Sequence, residues 1–265
     1  MLSLNRQSKV EEDFAKFIDE ARIDVIDRLQ KLCQPKEKIY MEIYYPRLAC
    51  LIFEAAYERV VEARKAAVEF CKEMARGVVN LAPEQSRQFS LYEKEGYSFF
   101  IVPVTVNVRH QESQYPADVL EALMLNLKES APTCNLDCFL NDVVQVAWSK
   151  WGAWQMEDTY FQLLPSTHIL HDPTVVTYMK ACIRLTWRMV TQIPPMQIEY
   201  KSLYLQNFHT KIGYHNSPYM RTTMLRPSGQ DQGEEIACYK WPGLLDGGGR
   251  LIRAGEVLCK IKDKR

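Results

Sequence analysis

The chain has 265 residues, of which 47% are apolar and 25% are charged. This is an ordinary globular composition, and a chain of this length buries roughly three quarters of the surface that it exposes when unfolded. Disorder as the main state is therefore excluded, and neither disulfides nor metal ions are needed as structural supports. The composition predicts a single domain over residues 1–265.

The net charge is zero, with 33 basic and 33 acidic residues, but the charges are segregated along the chain. Residues 111–175 carry 2 basic and 9 acidic side chains, whereas residues 176–265 carry 14 basic and 7 acidic ones. Opposed charged regions favour either a contact within the molecule or an anionic partner.

The N-terminal part predicts a long helical hairpin. Apolar residues recur every three or four positions over residues 10–32, which predicts one amphipathic helix ending near Gln34. A second helix is predicted from just after Pro46 to about Arg76, with Gly77 as its stop. The heptad spacing also permits a coiled-coil seam with another chain.

Residues 77–115 form an irregular or extended insert within the helical part, which spans residues 9–192. Residues 99–106 are rich in β-branched side chains and contain Pro103. Because proline cannot donate a ladder hydrogen bond, this segment predicts an edge strand or an extended surface segment.

Two helices follow the insert, at about residues 116–129 and 135–151, and an aromatic-rich loop is predicted over residues 151–171. The next helix, over residues 172–192, has the clearest ends. Asp172 can cap its N-terminus, and a Pro-Pro pair stops it.

The last part, residues 193–265, has the pattern of short strands and turns. It predicts a hairpin in which residues 236–241, a glycine-rich turn at 246–249, and the apolar runs 251–252 and 256–261 follow one another. The predicted fold class is α+β, mainly α: a helical bundle built on the N-terminal hairpin, with a small C-terminal β-hairpin element.

Motifs for catalysis are missing from the sequence. It has no Gly-x-Ser-x-Gly elbow, no phosphate loop ending in Gly-Lys-Ser/Thr and no His-Glu-x-x-His, so an enzyme is not predicted, nor is a cofactor. The best metal candidate combines Cys134 and Cys138 with His168 and His171. Buried structural thiols are the favoured interpretation, and no metal site is predicted.

The location predicted for the chain is cytoplasmic. The cysteines are scattered among apolar neighbours, and no secretory signal is visible. The longest strongly apolar stretch, residues 97–108, is about half the length that spans a bilayer, so no transmembrane segment is predicted.

A basic ridge is predicted on the helix over residues 172–192, because Lys180, Arg184 and Arg188 recur every four residues. One hypothesis is that the ridge pairs with the acidic segment 111–175 or is merely solvated. The other is a site for an anionic lipid headgroup, to which further basic residues would contribute. These further basic residues of the headgroup site are Lys201, Lys211, Arg221 and Arg226. No nucleic-acid partner is predicted for the chain.

Five aromatic side chains cluster in the middle of the chain, and their spacing does not distinguish a core role from an interfacial anchor or a protein contact. These are Trp148, Trp151, Trp154, Tyr160 and Phe161.

Several motifs occur in an order that is typical of one known family. A helix containing the string 184–189 leads into a Pro-Pro pair, and a Trp-Pro dipeptide precedes a glycine-containing turn and a Gly-Glu step. Near the start, Phe17 and Asp19 fit the first helix of the same pattern. Over about residues 13–260, the chain resembles the C-terminal domain of the mitochondria-eating protein family. The motif residues are Pro194, Pro195, Trp241, Pro242, Gly255 and Glu256.

This resemblance implies a non-enzymatic protein of mitochondrial quality control that binds a cardiolipin-like anionic phospholipid and mitophagy receptors of the outer mitochondrial membrane. It also implies condensate formation, so self-association is expected. The implied location is the cytoplasm with association to mitochondria, at the outer membrane or in the matrix. The alternative hypothesis is a protein–protein adaptor with no lipid site.

Overall fold

The computed structural model describes residues 5–33, 41–80, 115–157, 167–215 and 234–260. The predicted fold class is confirmed, since the described residues form six α-helices followed by two small three-stranded sheets. The helices are α1 (Gln7–Asp19), α2 (Ala21–Cys33), α3 (Met41–Asn80), α4 (Tyr115–Ser130), α5 (Leu140–Glu157) and α6 (Pro173–Val190). The strands are β1 (Gln197–Glu199), β2 (His209–His215), β3 (Ile236–Trp241), β4 (Gly243–Leu245), β5 (Leu251–Arg253) and β6 (Gly255–Lys260).

The prediction of one continuous first helix is wrong, because the chain breaks at Glu20 between α1 and α2. Phe17 on α1 and Arg22 on α2 both contact the ring of Trp241. On one straight helix these two side chains would point about 140° apart. The break therefore allows both to reach the same β-strand residue.

Helix α3 is longer than predicted at both ends, so Pro46 lies inside it and Gly77 does not stop it. Tyr44 and Tyr45, just before the proline, are buried, and the ring of Tyr44 lies 4.5 Å from that of Trp151. This packing offsets the hydrogen bond that proline cannot donate. At the other end, a mid-helix glycine costs only about 1 kcal/mol.

Helix α4 confirms the prediction for residues 116–129, but the next helix begins five residues later than predicted. Two short 3₁₀ turns precede α5, and the side chain of Asn135 accepts a hydrogen bond from the Asp137 amide at 3.1 Å. Such local bonds compete with helix formation. Helix α5 then continues to Glu157, so the predicted loop does not begin at Trp151.

Helix α6 is predicted correctly, and the Asp172 side chain accepts a hydrogen bond from the Thr174 amide, as an N-cap does. The segment 99–106, predicted as an edge strand or extended segment, lies outside the described residues.

The C-terminal part is more than a single hairpin. Strands β4 and β5 enclose the predicted turn at residues 246–249, and β1 pairs with β4 to complete the first sheet. In the second sheet, β6 is central, antiparallel to β3 and parallel to β2. A Cβ atom on Gly255 would lie 2.7 Å from the Gly243 amide nitrogen, so glycine is required at this close backbone approach.

One cluster of buried apolar side chains extends from Val10 to Cys259 and joins the helices to both sheets. Helix α3 lies at its centre and contacts α2, α4, α5, α6 and β3. Within the described ranges, no helix combines the length and the apolar character needed to cross a membrane.

Candidate functional site

The basic ridge of α6 is paired with acidic side chains. The Lys180 ammonium lies 2.7 Å from a carboxylate oxygen of Asp137, and Arg184 lies 3.9 Å from the other. Arg188 Nη1 lies 2.6 Å from an Asp13 oxygen on α1. Asp137 belongs to the acidic segment 111–175, so Lys180 and Arg184 make the internal contact that was one of the two sequence hypotheses.

The remaining basic residues of the predicted site are placed separately. Lys211 and Glu234 form a largely buried pair at 2.7 Å. The side chain of Lys201 is 74% exposed, and its nearest carboxylate, on Glu58, is 3.9 Å away. Arg221 and Arg226 lie outside the described residues.

The most exposed large apolar side chain among the described residues lies next to Lys201. Leu203 is 71% exposed and Tyr204 is 54% exposed. Residues 201–204 therefore present a cation, an aliphatic chain and an aromatic ring to solvent within four positions. We call this segment the 201–204 loop.

A buried polar cluster anchors the 201–204 loop. One oxygen of the Glu199 carboxylate accepts hydrogen bonds from the amides of Lys201 and Ser202 and from the Ser202 hydroxyl. The other oxygen accepts from the Tyr239 hydroxyl at 2.8 Å and lies 2.6 Å from His209 Nε2. These hydrogen bonds hold the start of the 201–204 loop, which follows β1 and precedes β2, in a defined conformation.

Hydrogen bonds in this cluster determine which His209 nitrogen carries a proton and how readily Glu199 is protonated. The Gln206 amide donates to His209 Nδ1 at 3.1 Å, so Nε2 carries the proton that His209 donates to Glu199. Burial by itself raises the pKa of a carboxyl group, but the hydrogen bonds from His209, Tyr239 and Ser202 outweigh burial and lower the pKa of Glu199 to about 2.

We expect the Glu199 cluster to stabilise the fold above about pH 4.5 and to lose this effect as the pH falls toward 2. The pKa of Glu199 is lower in the folded state, so protonation favours the unfolded chain. The measurement is the free energy of unfolding of the wild type and of Glu199→Gln between pH 7 and pH 3. The difference between the two proteins should be constant above pH 5 and shrink below pH 4.5. A difference that stays constant down to pH 3 would contradict the lowered pKa.

The family-motif residues connect the sheets to the helices. Trp241 and Pro242 are buried, and the Arg22 guanidinium lies 4.8 Å from the centre of the Trp241 ring. The same guanidinium donates to Glu256 at 2.6 Å. Gly255 lies at the contact between the two sheets described above. Pro194 contacts the turn, since a Cβ atom on Gly247 would lie 2.4 Å from its ring, and Pro195 follows it.

The aromatic cluster belongs largely to the core. Trp151 is 1% exposed, and its ring lies 5.5 Å from that of Trp154, which is half-buried, as is Trp148. Tyr160 and Phe161 lie outside the described residues.

For the cysteine and histidine candidates, the sulfur of Cys134 donates to the Ser130 carbonyl and Cys138 is exposed. Nowhere in the described part of the chain do three His, Cys, Asp or Glu side chains converge as metal ligands.

Sequence reasoning identified Lys201 but missed Leu203 and Tyr204. A local signal was present, because these apolar residues follow a lysine and a serine between two short strands. However, apolar residues also alternate with polar ones in half-buried strands, so the sequence alone did not distinguish the exposed loop from a strand.

A family model described as Mitochondria-eating protein matches residues 158–259. The match includes α6, the 201–204 loop, strands β1 to β5 and β6 as far as Cys259, whereas α1 to α5 precede it. Neither a curated protein nor a solved structure matches the chain. This family implies mitochondrial association and a role in mitochondrial quality control, and it is not a known family of enzymes. Residues 158–259 of the chain are therefore similar to the mitochondria-eating protein family, and the resemblance predicted from the sequence is confirmed over this range.

Proposed function

We propose that the chain is a non-catalytic binding module of mitochondrial quality control that attaches to a cardiolipin-containing membrane through the 201–204 loop. The observation that carries this proposal is the joint exposure of Lys201, Leu203 and Tyr204 on an anchored loop. Aromatic and aliphatic side chains beside a lysine are typical of segments that lie in the membrane interface. The proposal treats residues 1–265 as one unit.

The expected affinity of this loop is modest. Full burial of one leucine side chain contributes about 1.5–3 kcal/mol, and a lysine near an anionic bilayer contributes about 1 kcal/mol. Attachment through the loop alone would therefore be weak and reversible. Arg184, with 64% of its side chain exposed, is the member of the α6 ridge best able to add a second contact.

Lys180, Arg188 and Lys211 contribute less in this proposal. Each lies within 2.7 Å of a carboxylate oxygen, so a lipid phosphate would have to compete with an existing ion pair. The contribution of Arg221 and Arg226 remains part of the proposal, as predicted from the sequence.

We expect wild-type protein to float with phosphatidylcholine vesicles that contain cardiolipin and to stay in solution with phosphatidylcholine alone. The variant Leu203→Ser/Tyr204→Ser should lose about tenfold in vesicle affinity, because it removes roughly 1.4 kcal/mol or more of apolar burial. Lys201→Glu should lower the vesicle affinity more at low salt than at high salt, because salt screens the charge interaction. Flotation and a salt titration measure both effects.

The matched control is Leu125→Ser on α4, because Leu125 is also about half exposed, at 51%, but lies away from the loop in the chain. This variant should bind like the wild type. Equal recovery with neutral vesicles, or unchanged binding of the double loop variant, would eliminate the membrane proposal.

A second candidate is an adaptor for mitophagy receptors, and one observation favours it. Lys180 and Arg188 of the ridge are paired within the molecule, with Asp137 and Asp13. In this case the 201–204 loop contacts a protein. The double loop variant would then lose recruitment to damaged mitochondria in cells, although the purified wild-type protein binds no vesicle.

A further inference from the structure

The carboxylate of Glu58, on α3, lies beside the start of the 201–204 loop. Its Oε1 oxygen accepts hydrogen bonds from the Lys150 ammonium at 3.0 Å and from the Tyr200 hydroxyl at 2.5 Å. The Lys201 ammonium lies 3.9 Å from the same oxygen. Helix α3, helix α5 and the segment that follows β1 therefore meet at one carboxylate oxygen.

Lys150 and Lys201 are close neighbours, because both ammonium groups lie next to the same oxygen of Glu58. Both also contact the ring of Tyr200, at 5.5 Å and 5.0 Å from its centre. Two like charges at such short range repel each other unless an opposite charge lies between them. The Glu58 carboxylate supplies that opposite charge.

The two lysines are compensated to different extents. Lys150 is 24% exposed and also lies 3.6 Å from Glu54, so two carboxylates face it. Lys201 is 74% exposed, and its distance from Glu58 is too long for a hydrogen bond. Glu54 already pairs with Arg47 at 2.7 Å. These five side chains thus carry one surplus positive charge, and Lys201 is the member most accessible to solvent.

Glu58 affects the loop through its charge, because other groups fix the loop conformation. The Glu199 carboxylate accepts hydrogen bonds from the amides of Lys201 and Ser202, whereas Glu58 contacts only the end of the Lys201 side chain. Burial and the hydrogen bond to Glu58 raise the pKa of Tyr200, so its phenol stays protonated and adds no charge. Glu58 is therefore the charged group that can be changed here without moving the backbone of the loop.

We propose that Glu58 determines how strongly the 201–204 loop discriminates between membranes of different anionic charge, an inference that rests on the proposed membrane function. An anionic headgroup that approaches Lys201 is repelled by the Glu58 carboxylate, which offsets part of the attraction. Glu58 also keeps Lys150 paired. Attachment of the wild type consequently requires a high density of headgroup charge.

The test is flotation with phosphatidylcholine vesicles of increasing cardiolipin content at physiological salt. Glu58→Gln should raise the vesicle affinity about fivefold and should bind at a lower cardiolipin content, because it adds one net positive charge near the bilayer. The amide oxygen of glutamine can still accept from Tyr200, so the fold should be unchanged, which circular dichroism verifies. Glu58→Asp keeps the charge and should bind within about twofold of the wild type.

Glu69→Gln is the matched control, because it makes the same charge change on the same helix. Glu69 pairs with Lys72 at 2.7 Å and lies three turns from Glu58. This is about 16 Å along the helix, beyond the Debye length of about 8 Å at physiological salt, so the vesicle affinity should not change. Glu58→Gln/Lys201→Gln should lose most of the gain, since the effect acts mainly on Lys201.

Each outcome separates this inference from the membrane proposal. If the wild type floats but Glu58→Gln binds no more tightly, or if the gain survives in full without Lys201, the inference is overturned and the membrane proposal stands. If the wild type does not float but Glu58→Gln does so through Lys201, the inference stands and the proposed attachment of the wild type fails. If neither protein floats at any cardiolipin content, both are overturned.

Discussion

Replacing Arg47 by methionine is expected to lower the free energy of unfolding by about 3–5 kcal/mol, because it leaves the carboxylate of Glu54 buried without its main partner. Arg47 Nη1 lies 2.7 Å from Glu54, whose side chain is 3% exposed. The same nitrogen donates to the Tyr239 carbonyl at 3.1 Å, so the substitution also removes a bond between α3 and β3. Lys150, 3.6 Å from the other Glu54 oxygen, compensates only in part.

The controls for this prediction separate a buried pair from an exposed one. Lys65→Met removes an exposed ion pair on the same helix and should cost less than about 1 kcal/mol. The double variant Arg47→Met/Glu54→Leu should recover much of the loss, since it replaces the pair by apolar side chains. Urea unfolding followed by circular dichroism measures all of these values. A cost for Arg47→Met no larger than that for Lys65→Met would contradict the assignment.

Replacing Trp241 by alanine is expected to cost about 3–5 kcal/mol as well, because a large ring is removed from the contact between helices and sheets. Trp241 is 1% exposed, and its ring lies 4.8 Å from that of Phe53 and 6.1 Å from that of Phe17. The variant also removes the ring under the Arg22 guanidinium. The measurement is again urea unfolding.

Trp148 provides the matched control for Trp241, since it is half-buried on α5 and lines a cavity with Val144 and Leu170. Trp148→Ala should be clearly less destabilising than Trp241→Ala, and Trp241→Phe should retain part of the lost stability. An equal cost for the two alanine variants would mean that Trp241 has no special structural role. If Trp241→Phe floats with vesicles like the wild type, Trp241 contributes to the fold and not to the membrane binding proposed for the 201–204 loop.

The family motif and the candidate binding surface are thus different parts of the molecule. Trp241 and Gly255 are buried where the sheets meet the helices or each other, and neither is accessible to a membrane or a partner. The exposed groups proposed for binding, Lys201, Leu203 and Tyr204, belong to a loop between β1 and β2. In this view, the motif residues orient the strands that carry the loop.

Local patterns allowed the regular elements to be predicted where one face is buried along the whole element. Helix α6 has an N-cap, an apolar stripe and a terminal Pro-Pro pair, and each is a local signal. The break at Glu20 has no such signal. Phe17 and Arg22 contact a strand residue more than 200 positions later, and only that contact requires the chain to turn between them.

The candidate site could be predicted only in part, because the sequence has local signals for the elements but none for contacts between distant residues. The sequence alone determined the mainly helical fold class, the likeness to the family and the excess of basic residues in the last third. The tertiary structure decided which of these charges are compensated. Arg188 pairs with Asp13, 175 residues away, and Lys180 pairs with Asp137, 43 residues away, whereas the Lys201 side chain stays 74% exposed. Charge pairing depends on distances in space of a few ångström, and these are set by packing, not by position along the chain.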